Sequence, residues 1–203
     1  MTTFVHGLGG PEAVTLVSMR HERRNARPVA VLRYQPVKYP ALLLGGPHLT
    51  CIVDLVTEQL LGVTQLVESV ARGAVPTSAA AQQTAEAHLA QTAPDVVSEL
   101  YLVEIAPHTD VVAVDGYDVG IVGKDVRYYA RSTGQRTRVV VGPDLRVITF
   151  ERDTVWDHIH GRCRTPMWLD DLWIAAHDSL APQPGPPAAL AHADPPARRT
   201  SVR

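Results

Sequence analysis

Residues 98–151 read SELYLVEIAPHTDVVAVDGYDVGIVGKDVRYYARSTGQRTRVVVGPDLRVITFE, and this stretch decides the fold. Short runs rich in valine, isoleucine and tyrosine alternate there with turn-forming segments such as Asp115-Gly116 and Gly142-Pro143-Asp144. The connections are shorter than the dozen or more residues that a crossover between parallel strands needs. The pattern therefore predicts an antiparallel meander of up to six strands. They are expected at residues 100–105, 111–114, 119–122, 126–130, 137–141 and 147–150.

Three short strands are predicted ahead of the meander. Residues 13–17 and 29–32 are apolar runs on either side of the charged stretch 20–27, which suits a hairpin with a polar loop. Residues 40–44 form a third run, and it ends at Gly45-Gly46-Pro47, a combination that terminates regular structure.

Four helices are predicted, two on each side of the meander. Apolar residues recur at helical spacing from Thr50 to about Val70, and glycine and proline follow as stop signals. The other three have serine, threonine or aspartate as candidate N-caps. The second helix runs from Thr77 or Ser78 to about Thr92, the third begins at Asp153 or Thr154, and the fourth begins after Thr165.

The order of these elements predicts the fold class and the domain organisation. Strands, helices, a meander and closing helices are segregated along the chain, which is typical of an α+β domain rather than of a parallel α/β fold. We therefore expect one α+β domain over residues 1–180, with short N-terminal strands and an antiparallel meander sheet packed with helices. Residues 181–203 contain six of the 16 prolines and almost no large apolar side chain, so a disordered Pro/Ala-rich tail is expected.

Composition argues against several classes of partner. The formal net charge is −2, and no cluster of lysine and arginine is interleaved with aromatic residues, which argues against nucleic-acid binding. No run approaches the roughly 18 to 20 apolar residues of a membrane span, and residues 1–10 lack the pattern of a secretory signal, so a cytoplasmic protein is expected.

Cys51 and Cys163 have no C-x-x-C spacing, so inert thiols are favoured over a disulfide. The glycine-rich segments lack the pattern of a phosphate loop, and no cofactor is predicted.

Glu104 is the first candidate catalytic residue. It lies among leucine, valine and isoleucine in the predicted strand 100–105. An apolar setting raises the pKa of a carboxyl group and makes it a useful general acid or base near neutral pH. The alternative is that Glu104 pairs with an arginine of a neighbouring strand, or lies on the wet side of an edge strand.

His108 and Asp110 follow that strand and complete the predicted catalytic set. Residues at the end of a strand can reach a pocket that a rigid sheet positions, although both types are also ordinary turn residues. Tyr101 and the pair Tyr128 and Tyr129 are the predicted substrate-binding residues, because adjacent strand residues place one ring on each face. Core packing is the alternative for these rings.

The segment from Asp157 to Cys163 contains His158 and His160 and suggests a metal site. Histidine and cysteine are the usual ligands of zinc and copper. In a helix the two histidines point in nearly opposite directions, whereas in an extended segment they share a face. No fourth ligand is present at a recognised spacing, so metal is not the preferred prediction.

Three functions are consistent with these residues. The preferred one is a small cofactor-independent enzyme that uses carboxylate and histidine acid–base chemistry to condense or cyclise a small metabolite. The amino-acid usage is similar to that of proteins from GC-rich bacterial genomes, so a bacterial enzyme is expected. Secondary metabolism is the expected setting of its reaction. The alternatives are a non-catalytic immunity or accessory protein that binds a partner, and a metal-binding protein that uses His158, His160 and Cys163. A homodimer is also expected, because open sheet edges tend to be covered.

Overall fold

The fold is an antiparallel sheet with a small helical share. The computed structural model describes residues 13–182 and 184–185. Short 3-10 turns lie at Glu68–Ala71, Val97–Glu99 and Pro143–Leu145. The strands are β1 Val14–Arg24, β2 Arg27–Pro36, β3 His48–Asp54, β4 Leu60–Leu66, β5 Leu100–Val114, β6 Tyr117–Ala130, β7 Arg136–Val141, β8 Val147–Thr154, β9 Trp156–Asp157 and β10 Arg162–Cys163. The helices are α1 Ser78–Thr92 and α2 Asp171–His177.

Eight of the strands form one sheet, in the order β1-β2-β3-β4-β8-β7-β6-β5. It consists of two four-stranded meanders that meet where β4 pairs with β8. Every neighbouring pair is antiparallel, as the short connections predict. β1 and β5 are left as the edge strands, and β9 and β10 form a separate small hairpin.

The meander from residue 100 to residue 154 has four strands rather than six. β5 and β6 continue through Pro107 and residues 123–125, which the sequence predicts to be turns. Pro107 is tolerated because β5 is an edge strand. The Ala113 amide points away from β6 and donates to the carbonyl of Gly45. Pro107 is an even number of residues from Ala113, so its nitrogen also points away from β6, and its missing N–H removes no hydrogen bond between β5 and β6. The turn at Asp115-Gly116 is confirmed, with positive φ angles of 49° and 87°.

The structure of the N-terminal meander differs from three predictions. The charged stretch 20–27 is mostly strand, and the turn is confined to Asn25 and Ala26, both at positive φ. Residues 40–44 form no strand. The helix predicted at 50–70 is wrong, because β3 and β4 occupy this region. Both strands are buried on both faces, so they lack the polar alternation of a half-exposed strand and their apolar residues imitate a helical period.

The helix predicted to start near Ser78 is confirmed as α1. The Thr77 hydroxyl accepts a hydrogen bond from the Ala80 amide, and the helix ends at Thr92. Its buried stripe is Ala81, Ala85 and Leu89, which packs against one face of the sheet. The small side chains let the helix approach the strands closely, and the apolar contacts on this face form the main core. The sheet contributes Leu49, Cys51, Val63, Val126, Tyr128, Val139, Val141 and Phe150.

The closing segment has one helix where two are predicted. No helix begins at Asp153 or Thr154, because β8 runs to Thr154 and the β9–β10 hairpin follows. Thr165 caps no helix: its hydroxyl accepts a hydrogen bond from the Val155 amide and donates one to Asn25. α2 begins six residues later, where the Asp170 carboxylate accepts the Trp173 amide. The predicted tail lies outside the described residues except for residues 181, 182, 184 and 185.

The second face of the sheet is covered by the segment that contains α2 and by the loop between β2 and β3. Trp168, Trp173 and Ile174 pack on Val31 and Ile52 of this face. The loop reaches the far edge of the sheet, where Lys38 and Tyr39 contact Asp115 and Gly45 bonds to Ala113. These contacts join elements from opposite ends of the sheet and enclose a cavity beneath them. Within the described part of the chain, no helix is long and apolar enough to cross a membrane.

The packing of α1 gives a test of the core. Leu89 is 1% exposed between the helix and the sheet, so Leu89→Ala should lower the free energy of unfolding by about 2–5 kcal/mol through lost burial and a residual cavity. Urea denaturation followed by circular dichroism measures this change. Leu180→Ala is the matched control, because Leu180 is 69% exposed and its truncation should leave the midpoint nearly unchanged. Equal effects of the two substitutions would contradict the assigned core.

Candidate functional site

A cavity of about 850 Å³ lies between the second face of the sheet and residues 167–172. Strand pairing places alternate residues of β4, β5, β6, β7 and β8 on this face. Most of them are polar or charged, unlike the apolar residues that contact α1. The polar residues that line the cavity include His48, His108, Asp110, Asp125, Arg127, Arg136, Arg138, Thr149 and Glu151.

His108 and Asp110 form a hydrogen-bonded pair in the cavity wall. His108 Nε2 lies 2.6 Å from Asp110 Oδ2, and the side chains are 17% and 30% exposed. Both point to the same face because they are two residues apart on β5. Gly123 pairs with His108 on β6, so no neighbouring side chain crowds the imidazole from that strand. The prediction that these residues reach a pocket is consistent with this geometry, although they lie within a strand rather than in a turn.

Asp125 lies at the centre of a second polar group, which contains three arginines. Its side chain is 2% exposed, and Arg127 Nε donates to Oδ2 over 2.9 Å. Arg136 and Arg138 each approach an oxygen of the same carboxylate to 3.6 Å. Burial opposes the charge, but Arg138 and Arg127 outweigh it, so the pKa of Asp125 lies below its usual range. The carboxylate is therefore ionised at neutral pH.

Glu104 lies outside the cavity, at the exposed side of β5. Its side chain is 52% exposed, and it accepts a hydrogen bond from Arg127 of the neighbouring strand. The prediction of an apolar environment for Glu104 is wrong, because β5 is an edge strand and both of its faces are partly exposed to solvent near this residue. The alternative, an ion pair with an arginine across the strands, describes the structure. An acid–base role for Glu104 stays a prediction without the environment on which it was based.

The three tyrosines are not among the residues that line the cavity. Tyr128 is 4% exposed and packs in the core against α1, on the opposite face of the sheet. Tyr129 stacks on His158 with ring centroids 6.0 Å apart and lies 6.4 Å from Tyr101, whose side chain is exposed. Substrate binding by these rings stays a prediction, and the core-packing alternative describes Tyr128.

The histidine and cysteine segment folds as the β9–β10 hairpin. His158 and His160 lie in its turn, where Asp157 accepts hydrogen bonds from the backbone and ring of His160. Cys163 is buried, and burial raises the pKa of its thiol to about 11. Among the described residues, no group of three or more histidine, cysteine, aspartate or glutamate side chains is arranged to hold a metal ion.

Sequence reasoning missed a second histidine and the ion pair beside it. His48 is 2% exposed, and its Nδ1 lies 2.9 Å from the Gly46 carbonyl oxygen, so Nδ1 carries the proton. Nε2 has no hydrogen-bond partner among the described residues, and burial lowers the pKa of the ring. Arg33 holds Asp171 through two hydrogen bonds of 2.5 and 2.8 Å, and Asp171 also accepts the Gly45 amide.

One signal could have identified Arg33. Arg33 lies directly after the apolar run 29–32 and before Tyr34, just as Glu104 lies among apolar residues in its own strand. A charge in such a run requires a partner, because an unpaired buried charge is very unfavourable. Its partner Asp171 is 138 positions away, and no local pattern points to it.

Comparisons with known proteins add no assignment to this geometry. No protein-family model, curated protein or solved structure matches the chain. The function is therefore argued from the cavity itself.

The Arg33–Asp171 ion pair fixes the start of α2 above the cavity, and its removal tests that role. Both side chains are at least 87% buried, so Asp171→Asn should lower the free energy of unfolding by about 3–5 kcal/mol at pH 7, because it leaves a buried guanidinium without its counter-charge. Glu68→Gln, which removes an exposed ion pair with Arg72, should leave the unfolding midpoint unchanged.

The same pair has a pH dependence with a defined sign. Burial opposes the charge of Asp171, but the hydrogen bonds from Arg33 outweigh it and lower the pKa. Its stabilising contribution is therefore complete above the unfolded-state pKa of about 3.9 and is lost as the pH falls through the folded-state value. The difference in stability between the wild type and Asp171→Asn should shrink below about pH 4. A constant difference down to pH 2 would contradict this assignment.

Proposed function

We propose that the chain is a small cofactor-independent enzyme that binds a metabolite in the cavity and uses His108 for proton transfer. The observation that supports this most directly is the His108–Asp110 hydrogen bond in the wall of a cavity of about 850 Å³. Cavities of this size hold typical small-molecule ligands. Condensation or cyclisation of a small carbonyl compound through an enol or imine suits such a group.

Asp110 has two effects on His108 in this proposal. Its carboxylate holds Nε2 of the ring and leaves Nδ1 as the nitrogen that exchanges a proton with the ligand. It also stabilises the imidazolium that forms when the ring accepts that proton, as an aspartate does for a catalytic histidine in other hydrogen-bonded pairs. His48 also contributes to the cavity wall, with its Nε2 buried.

Proton transfer can be tested without knowing the natural substrate. In D₂O, a base that removes a proton next to a carbonyl group catalyses its exchange for deuterium, and proton NMR follows the loss of signal. We expect the wild type to accelerate exchange in some members of a panel of small ketones, oxo acids and oxo amides. His108→Gln should reduce that rate by about 10²–10⁴-fold, the usual contribution of a general base.

Two further variants make this test specific. Asp110→Asn should reduce exchange as well, because it removes the carboxylate that stabilises the imidazolium. His21→Gln is the control, because His21 is an exposed histidine on β1 outside the cavity lining. The proposal fails if no compound exchanges faster with protein, or if His108→Gln leaves the accelerated rate unchanged.

A second candidate function is self-association through the edge strand β5. The strand is 15 residues long, and only its far end is covered, where Ala113 bonds to Gly45. Tyr101, Leu102, Val103 and Val111 are 38–58% exposed along it. Two copies that pair β5 with β5 about a two-fold axis would cover both edges, which is the usual way to protect a free strand.

Lysine on the edge tests this candidate. The double variant Val103→Lys and Val111→Lys should shift a dimer to monomer in sedimentation-velocity experiments, because positive charges on both edge strands repel each other and disfavour strand pairing. Val56→Lys is the control, since Val56 is 74% exposed in the turn between β3 and β4. A wild-type protein that sediments as a monomer at all concentrations would exclude the candidate.

A further inference from the structure

We propose that Arg136 and Arg138 form a carboxylate-binding subsite in the cavity, so that the substrate is a small monocarboxylic acid. This inference rests on the proposed function, because it names the class of molecule on which His108 acts. It follows from three properties of the arginines around Asp125: their placement, their hydrogen bonds and their charge.

Strand pairing places the three arginines on one face. Arg127 of β6 pairs directly with Arg138 of β7, and Arg136 is two residues from Arg138 on the same strand. Like charges at opposed positions of a sheet repel each other. Asp125, two residues before Arg127, supplies the counter-charge within 3.6 Å of all three guanidinium groups.

The hydrogen bonds around Asp125 are unevenly distributed. Arg127 donates to both Asp125 and Glu104. Arg136 and Arg138 come no closer than 3.6 Å to Asp125, which is too far for a good hydrogen bond. The Nε atoms of both are buried and have no hydrogen-bond partner among the described residues. A buried Nε cannot meet a ligand, and Arg24 and Arg33 outside the cavity have the same unpartnered Nε. The terminal Nη groups of Arg136 and Arg138 donate no hydrogen bond to a described residue, and these groups point to an acceptor that enters the cavity.

The charges leave room for one further anion. Three guanidinium groups face two carboxylates, Asp125 and Glu104. Of the other carboxylates in the cavity wall, two are paired with arginines, and two have no permanently charged partner among the described residues, because His108 is neutral as a base. Glu151 is paired with Arg24, Asp171 with Arg33, and Asp110 with His108, while Asp170 accepts the Trp173 amide at the start of α2. Within the contacts around Asp125 alone, three cations minus two anions leave one positive charge, which matches a monoanion bound at the arginines.

The geometry of guanidinium favours a carboxylate as that monoanion. Arginine binds the two oxygens of a planar carboxylate through parallel N–H donors. The guanidinium of Arg136 lies over the Trp156 ring, with its central carbon 5.0 Å from the ring centroid. The ring covers one face of this group, so a ligand would contact the N–H donors at its edge. A doubly charged phosphate would exceed the single surplus charge.

The subsite is close enough to His108 for one small acid to contact both. Asp125 pairs with Ala106, and His108 is the next residue of β5 on the same face. Two residues along a strand span roughly 7 Å, and contacts of roughly 3 Å at each end of the ligand leave a gap that a short 2-oxo acid can bridge. The carboxylate would thus anchor the molecule while His108 exchanges a proton at a carbon next to its carbonyl group.

Binding is tested with 2-oxobutanoate as the probe and its neutral amide as the matched control. In ¹⁵N NMR titrations of the wild type, the acid should shift the Nε–Hε resonances of Arg136 and Arg138, and the amide should not. Arg138→Gln should weaken binding of the acid at least tenfold and leave any binding of the amide unchanged. Arg131→Gln is the control variant, because Arg131 is exposed outside the cavity.

Each outcome supports or overturns the subsite. If the acid leaves both Nε–Hε resonances in place, or if methyl phosphate shifts them and the acid does not, the carboxylate assignment is overturned. The wild-type titration decides this even where Arg138→Gln fails to fold. An acid that binds at the arginines but exchanges no deuterium leaves the subsite standing and removes the proposed function. Exchange in neutral carbonyl compounds without binding of the acid removes the subsite alone.

Discussion

A single buried carboxylate, Asp125, is the interaction on which the polar face of the sheet depends. Without it, Arg127 and Arg138 would be opposed like charges in adjacent strands, with Arg136 beside them. Burial alone would raise the pKa of this carboxyl group, and the arginines reverse that tendency. The four side chains are therefore mutually required: the arginines keep Asp125 ionised, and Asp125 keeps three cations on one face of a folded sheet.

The two faces of the sheet have opposite chemistry because they have different covers. α1 presents alanines and a leucine, so the face beneath it consists of valine, phenylalanine and tyrosine packed at close range. The other face is covered by a short helix and loops, which meet the sheet at its apolar ends around Trp168 and around Val112. The middle of that face is not filled by apolar side chains. It contains the charged residues and the cavity, and the Arg33–Asp171 pair fastens the cover above them.

The sequence predicts those parts of the fold that local chemistry determines. Turn residues located the Asp115-Gly116 hairpin, and a threonine cap located α1. β3 and β4 were interpreted as a helix because strands buried on both faces have no period-two signal, and tertiary pairing decides their conformation. The residues of the candidate site also fall into those that local sequence identifies and those that only the tertiary structure brings together. His108 and Asp110 are near in sequence and could be proposed together, whereas His48, Arg33 and Asp171 meet only through long-range packing.

Several exceptions to local rules in this chain lie at the cavity. Charged residues within strands, arginines that face each other, and buried donors without a partner among the described residues each disfavour folding when taken singly. In proteins, a well-packed apolar set of the same volume is often as stable as buried ion pairs, so stability alone is a weak explanation for them. In the proposed subsite, a carboxylate between Arg136 and Arg138 would add an acceptor for both guanidinium groups, beside the counter-charge of Asp125. A bound anion would thus complete the contacts of the charged residues on this face, which links the irregular part of the sheet to its proposed chemistry.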